Sequence, residues 1–508
     1  MSSASFCILA VIVIYLLGMV TVGFLFSKGQ DNSQDFYLGG RKMGPIVTAM
    51  SAEASDMSSY LLMGLPGLAY LTGICDVGWT VIGLALGTYL NWLLVAKRLR
   101  RYSANIKAIT VPEFFSKRFH DNKNILSLIA AIVIIVFFIP YTASGFAACG
   151  KLFNSLFGVD YTLAMIVAAI IIVFYTVLGG FKAVSTTDLI QSVVMTIALI
   201  VIVFFGVNVA GGWDAVADNA KALPGYLNMN AMYDVKTNSA TPYGGIITII
   251  STMAWGLGYF GMPHILLRFM AIEDENKLKI SRRVASIWVV IAMAIAVIIG
   301  IVGLGMTKAG AIKFLEGSSS ETIIIEIAHL LSEHGILAAI VAGIVLAGIL
   351  AATMSTADSQ MLAAASSVSQ NIVVEFCGKK LSDKANLWFA RLTIIGVSII
   401  GLFLALNPES SVFEIVSFAW AGFGGAFGGV MLLALFWKRS NFQGALAGMI
   451  SGGAMVFIWK FLIKPMGGIF GVYELLPAFI VSVVLMVVVS LATKAPDEEI
   501  IKEFEAAK

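Results

Sequence analysis

Charge is scarce in this sequence: Asp, Glu, Lys and Arg make up 12% of 508 residues, against 59% hydrophobic residues. Soluble globular chains carry about 25% charged and 45–50% apolar residues. An ordinary water-soluble fold is therefore excluded, and a mean hydropathy of +0.92 points to an all-α polytopic membrane protein. Cysteine is nearly absent too. Cys7, Cys75, Cys149 and Cys377 lie far apart and form no CxxC or metal-ligand spacing, so they are expected to be inert buried thiols. Neither GxSxG nor HExxH occurs, and His264, His329 and His334 have no triad setting, so the chain is read as not an enzyme. A net charge of +3, with basic residues dispersed over short loops, offers no patch for nucleic acid. Residues 1–6 lack a basic n-region, and Lys28 rather than a small-residue cleavage site follows the first apolar run, so that run is expected to stay as a helix.

What the chain does have is apolar runs of the length that crosses a bilayer, about 20 residues for ~30 Å of hydrocarbon. Thirteen are expected: 6–26, 45–70, 76–96, 124–150, 160–180, 186–210, 245–271, 284–306, 335–371, 388–406, 412–437, 442–464 and 471–493. The loops after odd-numbered spans hold most of the 33 Lys and Arg, so the positive-inside rule places the N-terminus outside and the C-terminus in the cytoplasm of a multi-pass plasma-membrane protein. The two longest loops, 211–244 and 307–334, then face outward. Trp213 and Tyr226 are their candidate interfacial anchors, and a lid or short surface helix is expected there. The 494–508 tail is too short for a second domain.

Against this apolar background the stretch 51–60 stands out, with two carboxylates and four serines inside span two. An ionisable residue at the bilayer centre costs at least ~2.5–3.5 kcal/mol, so such groups mark function. Gly64, Pro66 and Gly67 follow and are expected to loosen the helix and free carbonyls of the kind hard cations bind. Five spans later, 255–264 is a second Gly/Pro-interrupted segment. Paired interruptions at corresponding positions of two halves indicate an inverted-repeat secondary transporter with a midplane site. Spans two to six (45–210) and seven to eleven (245–437) form the expected repeats; 1–44 and 442–493 hold the extra helices. Span nine adds Ala352, Ser355, Thr356 and Ser359 on one helical face. Such hydroxyls either complete an oxygen cage or serve close packing and back-bonding.

Several segments in one order along nearly the whole chain carry a resemblance. They are Tyr37-Leu38-Gly39-Gly40-Arg41, Ala54-Ser55-Asp56-Met57-Ser58, Gly179-Gly180-Phe181 with Thr187-Asp188, 255–261 with Pro263-His264-Ile265-Leu266, Met354-Ser355-Thr356, and Trp420-Ala421-Gly422-Phe423-Gly424. The chain resembles the sodium:solute symporter family, most nearly its proline-transporting branch. The resemblance implies a five-plus-five inverted repeat of the leucine-transporter type and electrogenic uptake of a small amino acid, L-proline first, coupled to Na⁺. Another small amino acid, a carboxylate or a compatible solute, moved with sodium or protons, is the alternative.

The implied sodium ligands are the carbonyls of Ala54, Met57 and Ala352 and the hydroxyls of Ser355 and Thr356, with Asp56 supplying charge. The implied substrate residues are Ser58, Tyr60, Tyr141, Trp255, Tyr259, Met262 and Pro263. Their chemistry suits a zwitterion with an apolar ring, since aromatic walls cover the ring and attract the ammonium. Trp255 and Tyr259, four apart, are expected to face one way in a helix. Asp188, with Asp358 and Ser359, is implied in a second cation site or the inner exit; Lys182 or Arg391 are the alternative partners of the two carboxylates.

The sequence departs from the resembled pattern at four places. Glu53 stands where that branch has a small residue, Ser59-Tyr60 replaces glycine-tryptophan, Met262 replaces glutamine, and Asp358 replaces serine. Glu53 is open to two readings: a titratable group that lets protons modify sodium coupling, or a salt bridge to a basic residue of the inner vestibule.

Overall fold

The computed structural model describes residues 2–26 and 33–508; Lys28, read as the flank of the first span, lies outside them. Among the described residues ten helices are long and apolar enough to cross a membrane, and the pair Ile246–Gly261 and Pro263–Ala271, bent by 46°, makes an eleventh candidate. Where the other two spans are expected the structure has shorter pieces, the 17-residue helix Tyr161–Val177, and Pro45–Asp56 followed by Tyr60–Thr72, so its candidates number eleven rather than thirteen.

The helix expected to loosen at Gly64–Gly67 instead breaks earlier, at Met57–Ser59. Pro45–Asp56 ends there with Met57 at φ −78°, ψ 69°, and the chain resumes as a wide turn, Tyr60–Gly64, running into Leu65–Thr72. Pro66 lies inside the continuous helix Tyr60–Thr72, directly after the wide turn that accommodates its missing N–H. The two glycines serve packing: a Cβ on Gly67 would lie 2.8 Å from the Glu321 amide nitrogen.

The two interrupted helices run antiparallel with their interruptions side by side, so that Asp56 meets Tyr259 and Ser51 meets Arg268. One end of each is joined to the other by backbone, Met43 N–H donating to Ala271 O (3.2 Å) and Glu273 N–H to Met43 O (2.9 Å). Arg41 ties the same end down by donating to Met270 O (2.6 Å) and Ala108 O (2.5 Å). Ile74–Leu90 packs on the bent helix backbone to backbone, because Cβ atoms on Gly83 and Gly87 would lie 2.3 Å from Met253 O and Gly256 O.

Around this pair stand the long helix Ile336–Ser366 and the run Tyr161–Val209, which Gly180 (φ 57°, ψ −175°) divides into two. The loop 211–244 carries the surface helix Trp213–Ala222 and a hairpin, Ala231–Asp234 with Ser239–Pro242. Trp213 is exposed, as an anchor requires. Tyr226 is fully buried, its hydroxyl donating to Ala69 O (2.8 Å), because the hairpin covers it; it is a packing residue. The loop 307–334 sends Glu321 inward, where it pairs with Lys151 (2.8 Å) and accepts from the Ser411 hydroxyl and the amides of Val412 and Phe413 (2.9–3.1 Å). Glu321 thus caps the helix Val412–Phe423. Cys377 is exposed at the end of its helix, contrary to the buried thiol expected of it.

Candidate functional site

At the break in 45–72 the backbone turns outward from the helix and its carbonyls lose their intrahelical donors. The Ser355 hydroxyl reaches across from Ile336–Ser366 to Ala54 O (2.7 Å), and Ala352 O accepts from both Ser355 and Thr356 (3.2 Å each). Two carbonyls from different helices are thereby brought to the Ser355 hydroxyl, with Thr356 bonded back to Ala352 within its own helix and Met57 at the break three residues after Ala54. All are buried. Hydroxyl and carbonyl oxygens without a fixed positive partner form a donor set that fits a small hard cation.

Asp56 lies beside this cluster. It has no basic partner among the described residues; the Tyr259 hydroxyl donates to it at 2.5 Å. Ser58 bonds the Tyr60 amide (3.2 Å) and meets the Tyr141 hydroxyl. The segment 254–261 winds as a 3₁₀ helix with about three residues per turn. Trp255 and Tyr259 therefore diverge: Tyr259 turns to Asp56, and Trp255 joins an aromatic layer, stacked on Tyr60 (5.6 Å between centroids) and Tyr473 (5.2 Å). Trp420 braces both, donating to Trp255 O (2.7 Å) with its ring edge-on to Tyr259. Beyond this layer lies a cavity of about 640 Å³ that Trp255, Phe413 and Tyr473 also line. Met262 and Pro263 are buried where the bent helix resumes.

Glu53 faces away from the gathered oxygens. Its Oε1 accepts from Trp92 Nε1 (2.9 Å) and the Thr88 hydroxyl (3.3 Å), and no basic side chain among the described residues pairs with it. The salt-bridge reading is overturned, because Glu53 points at the helix Ile74–Leu90 and the turn after it, which present an indole and a hydroxyl.

Nearer the joined ends of the two interrupted helices, Asp188 accepts from Ser51 (2.6 Å) and Ser55 (3.2 Å) and forms a buried ion pair with Arg268 (3.1 Å). Asp358 accepts from the Tyr175 hydroxyl (2.7 Å). Neither Lys182 nor Arg391 takes part: Lys182 lies over the Phe26 ring and Arg391 over Trp388. Arg268 is the residue that sequence reasoning missed. Its signal was there, since an arginine inside the apolar segment Pro263–Ala271 is as conspicuous as an intramembrane aspartate. The structure thus brings together Ala54, Ala352, Ser355 and Thr356, and separately Asp188, Arg268, Ser359 and Asp358, while Asp56 is bonded to Tyr259 and Met57 lies at the break.

Comparison with known proteins accords with this arrangement. The profile of the sodium:solute symporter family matches residues 36–452. A sodium/proline symporter of Haemophilus influenzae is 41% identical over 500 residues, covering 97% of this chain and 96% of that protein. The osmoregulated proline transporter OpuE of Bacillus subtilis is 40% identical over 484 residues, 95% of this chain and 94% of its own. A Na⁺-coupled sialic acid symporter, solved substrate-bound and outward-open, superposes with a TM-score of 0.78 at 18% identity over 97% of this chain and 99% of its own. The fold is thus the leucinetransporter-type inverted repeat, and the protein is a transporter of the membrane rather than an enzyme. With its paired interrupted helices and the family match over most of its length, the chain belongs to the sodium:solute symporter family.

Proposed function

We propose that this protein imports L-proline with Na⁺ across the plasma membrane by alternating access. The observation that carries the sodium part is the Ser355 hydroxyl bonded to Ala54 O at the break, beside the Ala352 carbonyl shared with Thr356. Sodium replaces the Ser355 proton as the partner of Ala54 O and is held by Ala54, Met57, Ala352, Ser355 and Thr356. Asp56 supplies negative charge nearby. Sodium bound there organises the break, and the break carries Ser58 toward substrate.

Proline is supported by relatives of that name at about 40% identity over almost the whole chain. Its ring is covered by Tyr60, Trp255 and Tyr259, its carboxylate takes hydroxyls of Ser58 and Tyr141, and Met262 and Pro263 close the inner side. The layer of Tyr60, Trp255 and Tyr473 is the outer lid. Thirteen spans follow from the lengths of the apolar runs, and an outside N-terminus and a cytoplasmic C-terminus from the distribution of Lys and Arg. Each Na⁺ moving inward through ~100 mV contributes ~2.3 kcal/mol to accumulation. Uptake of labelled proline into proteoliposomes under an inward sodium gradient, with a panel of competing solutes, tests the reading. Sodium-dependent accumulation blocked by unlabelled proline is expected. Accumulation of another solute that proline does not inhibit overturns the substrate assignment.

A further inference from the structure

Four apolar helices, Ser3–Phe26, Ile125–Phe157, Tyr161–Val177 and Ile336–Ser366, leave a cavity of about 440 Å³ between them. Its walls are apolar side chains, among them Leu16 of the first helix, Phe153 of the second and Leu350 and Met354 of the fourth; the Cys149 thiol is the exception. The third helix gives the cavity its length and its room. Leu163, Ala164, Val167, Ala168, Ile171 and Ile172 line it as one helical stripe, and the two alanines, four apart, leave the space. At 1.5 Å per residue that stripe is about 13 Å long, close to half of the ~30 Å hydrocarbon core of a bilayer, the share of one leaflet. One end of the slot lies at Phe157 and Val159, beside the Gly158 turn (φ 63°) that joins two of the helices, and so at the level where chains leave the hydrocarbon. The other end lies at Ile172 and Met354, in mid-helix. The slot also opens sideways, since Leu163 is 56% and Val167 48% exposed. At that depth the surroundings are lipid tails, with no water. A water inside would need two to four polar partners, and these walls offer a thiol. Unfilled, the lining would forfeit its contacts on that side. Hydrocarbon is what fits, and a slot as long as one leaflet is deep, open at the surface end, has the proportions of a single extended chain.

We propose that this slot is a binding site for one acyl chain of a bilayer phospholipid, which enters from the leaflet at the Gly158 end. The chain completes the packing of Ile336–Ser366 on the side that Leu350 and Met354 present. Met354 directly precedes Ser355, and its carbonyl accepts from the Tyr175 hydroxyl (3.1 Å) of the helix that carries the stripe. A lipid chain thus reaches the helix of Ser355 and Thr356 without touching either. The site is separate from the gathered oxygens and from the aromatic layer, and it stands or falls independently of the sodium and proline readings.

The test is photolabelling of the purified full-length protein in nanodiscs of dioleoyl phosphatidylcholine that include a phosphatidylcholine with a diazirine on one acyl chain, the labelled positions being read by peptide mass spectrometry. Chains that merely cover the surface label exposed residues such as Phe403 and Leu491. A chain in the slot also labels Ala168 and Met354, which are buried. Both are expected to be labelled in wild type. Labelling of Met354 is expected to be lost in Ala168→Phe, whose ring takes the chain's space, and in Leu163→Trp, which narrows the sideways opening, while labelling of Leu491 persists in all three proteins. Label confined to exposed positions in wild type overturns the proposal, as does undiminished labelling of Met354 in either folded variant. If Ala168→Phe fails to fold, Leu163→Trp, a change at a largely exposed position, carries the comparison with wild type.

Discussion

At the scale of residues, the gathered oxygens make a sharp demand on Ser355. Its hydroxyl is held between Ala54 O and Ala352 O, so alanine there removes one proposed ligand and leaves Ala54 O without its donor. A hydrogen-bonding partner of this kind is worth about 1–1.5 kcal/mol, more when an ion is held. Ser355→Ala is expected to raise the sodium concentration for half-maximal uptake roughly tenfold with little change in the amount of folded protein; an unchanged sodium curve contradicts the assignment. Tyr259→Phe isolates a different bond. It keeps the ring against Trp420 and removes the donor to Asp56, so substrate half-saturation and sodium half-saturation are expected to rise together, both read from uptake curves.

The same residues show how far the sequence could be read. Intramembrane charge singled out Asp56 and Glu53, and helical spacing placed Ser355, Thr356 and Ser359 on one face, because both signals are local. Partner choice was not local. Asp188 finds Arg268, 80 positions away, through a kink at Gly180 and the antiparallel approach of two interrupted helices. No spacing rule expresses that. Glu53 likewise turned to Trp92 and Thr88 rather than to a base, a matter of which helix packs on which.

Among elements, a tight constraint lies between Ile74–Leu90 and the bent helix, where Gly83 and Gly87 let two backbones touch. A larger side chain cannot be absorbed by a rotamer, since the atoms it meets are carbonyl oxygens. Gly87→Val is expected to push the 254–261 segment away, lower the thermal unfolding temperature in detergent, and abolish uptake; overpacking of this sort costs about 1–3 kcal/mol or more. Periodicity identified both interrupted segments but misjudged their details, because 3₁₀ and wide turns change the angular step. In 254–261 three residues per turn, not 3.6, separate Trp255 from Tyr259. In 45–72 the break falls at the serines, where side chains can replace lost backbone partners, rather than at Pro66.

For the whole molecule, the end opposite the Met43–Ala271 junction is organised around Glu321, which holds Lys151 and the first turn of Val412–Phe423 at once. Removing one member of a buried ion pair costs about 3–5 kcal/mol, because the other is left uncompensated, whereas removing both costs far less. Glu321→Ala is accordingly expected to lower thermal stability strongly, and Lys151→Met/Glu321→Gln to recover much of it. Equal damage from the single and double variants would show that the pair's charge is not what matters. Phe413, which follows directly, belongs to the aromatic layer, so the same variants are expected to raise substrate half-saturation in uptake.

The backbone bonds between Met43 and residues 271–273 have a mechanical consequence. Peptide hydrogen bonds joining the feet of both interrupted helices make them one lever, so neither can tilt while the other stays still. The seam that slides must then run between that lever and the helix Ile336–Ser366. The Ala54–Ser355 and Arg268–Ser359 contacts both lie across it, so both must be remade whenever it slides.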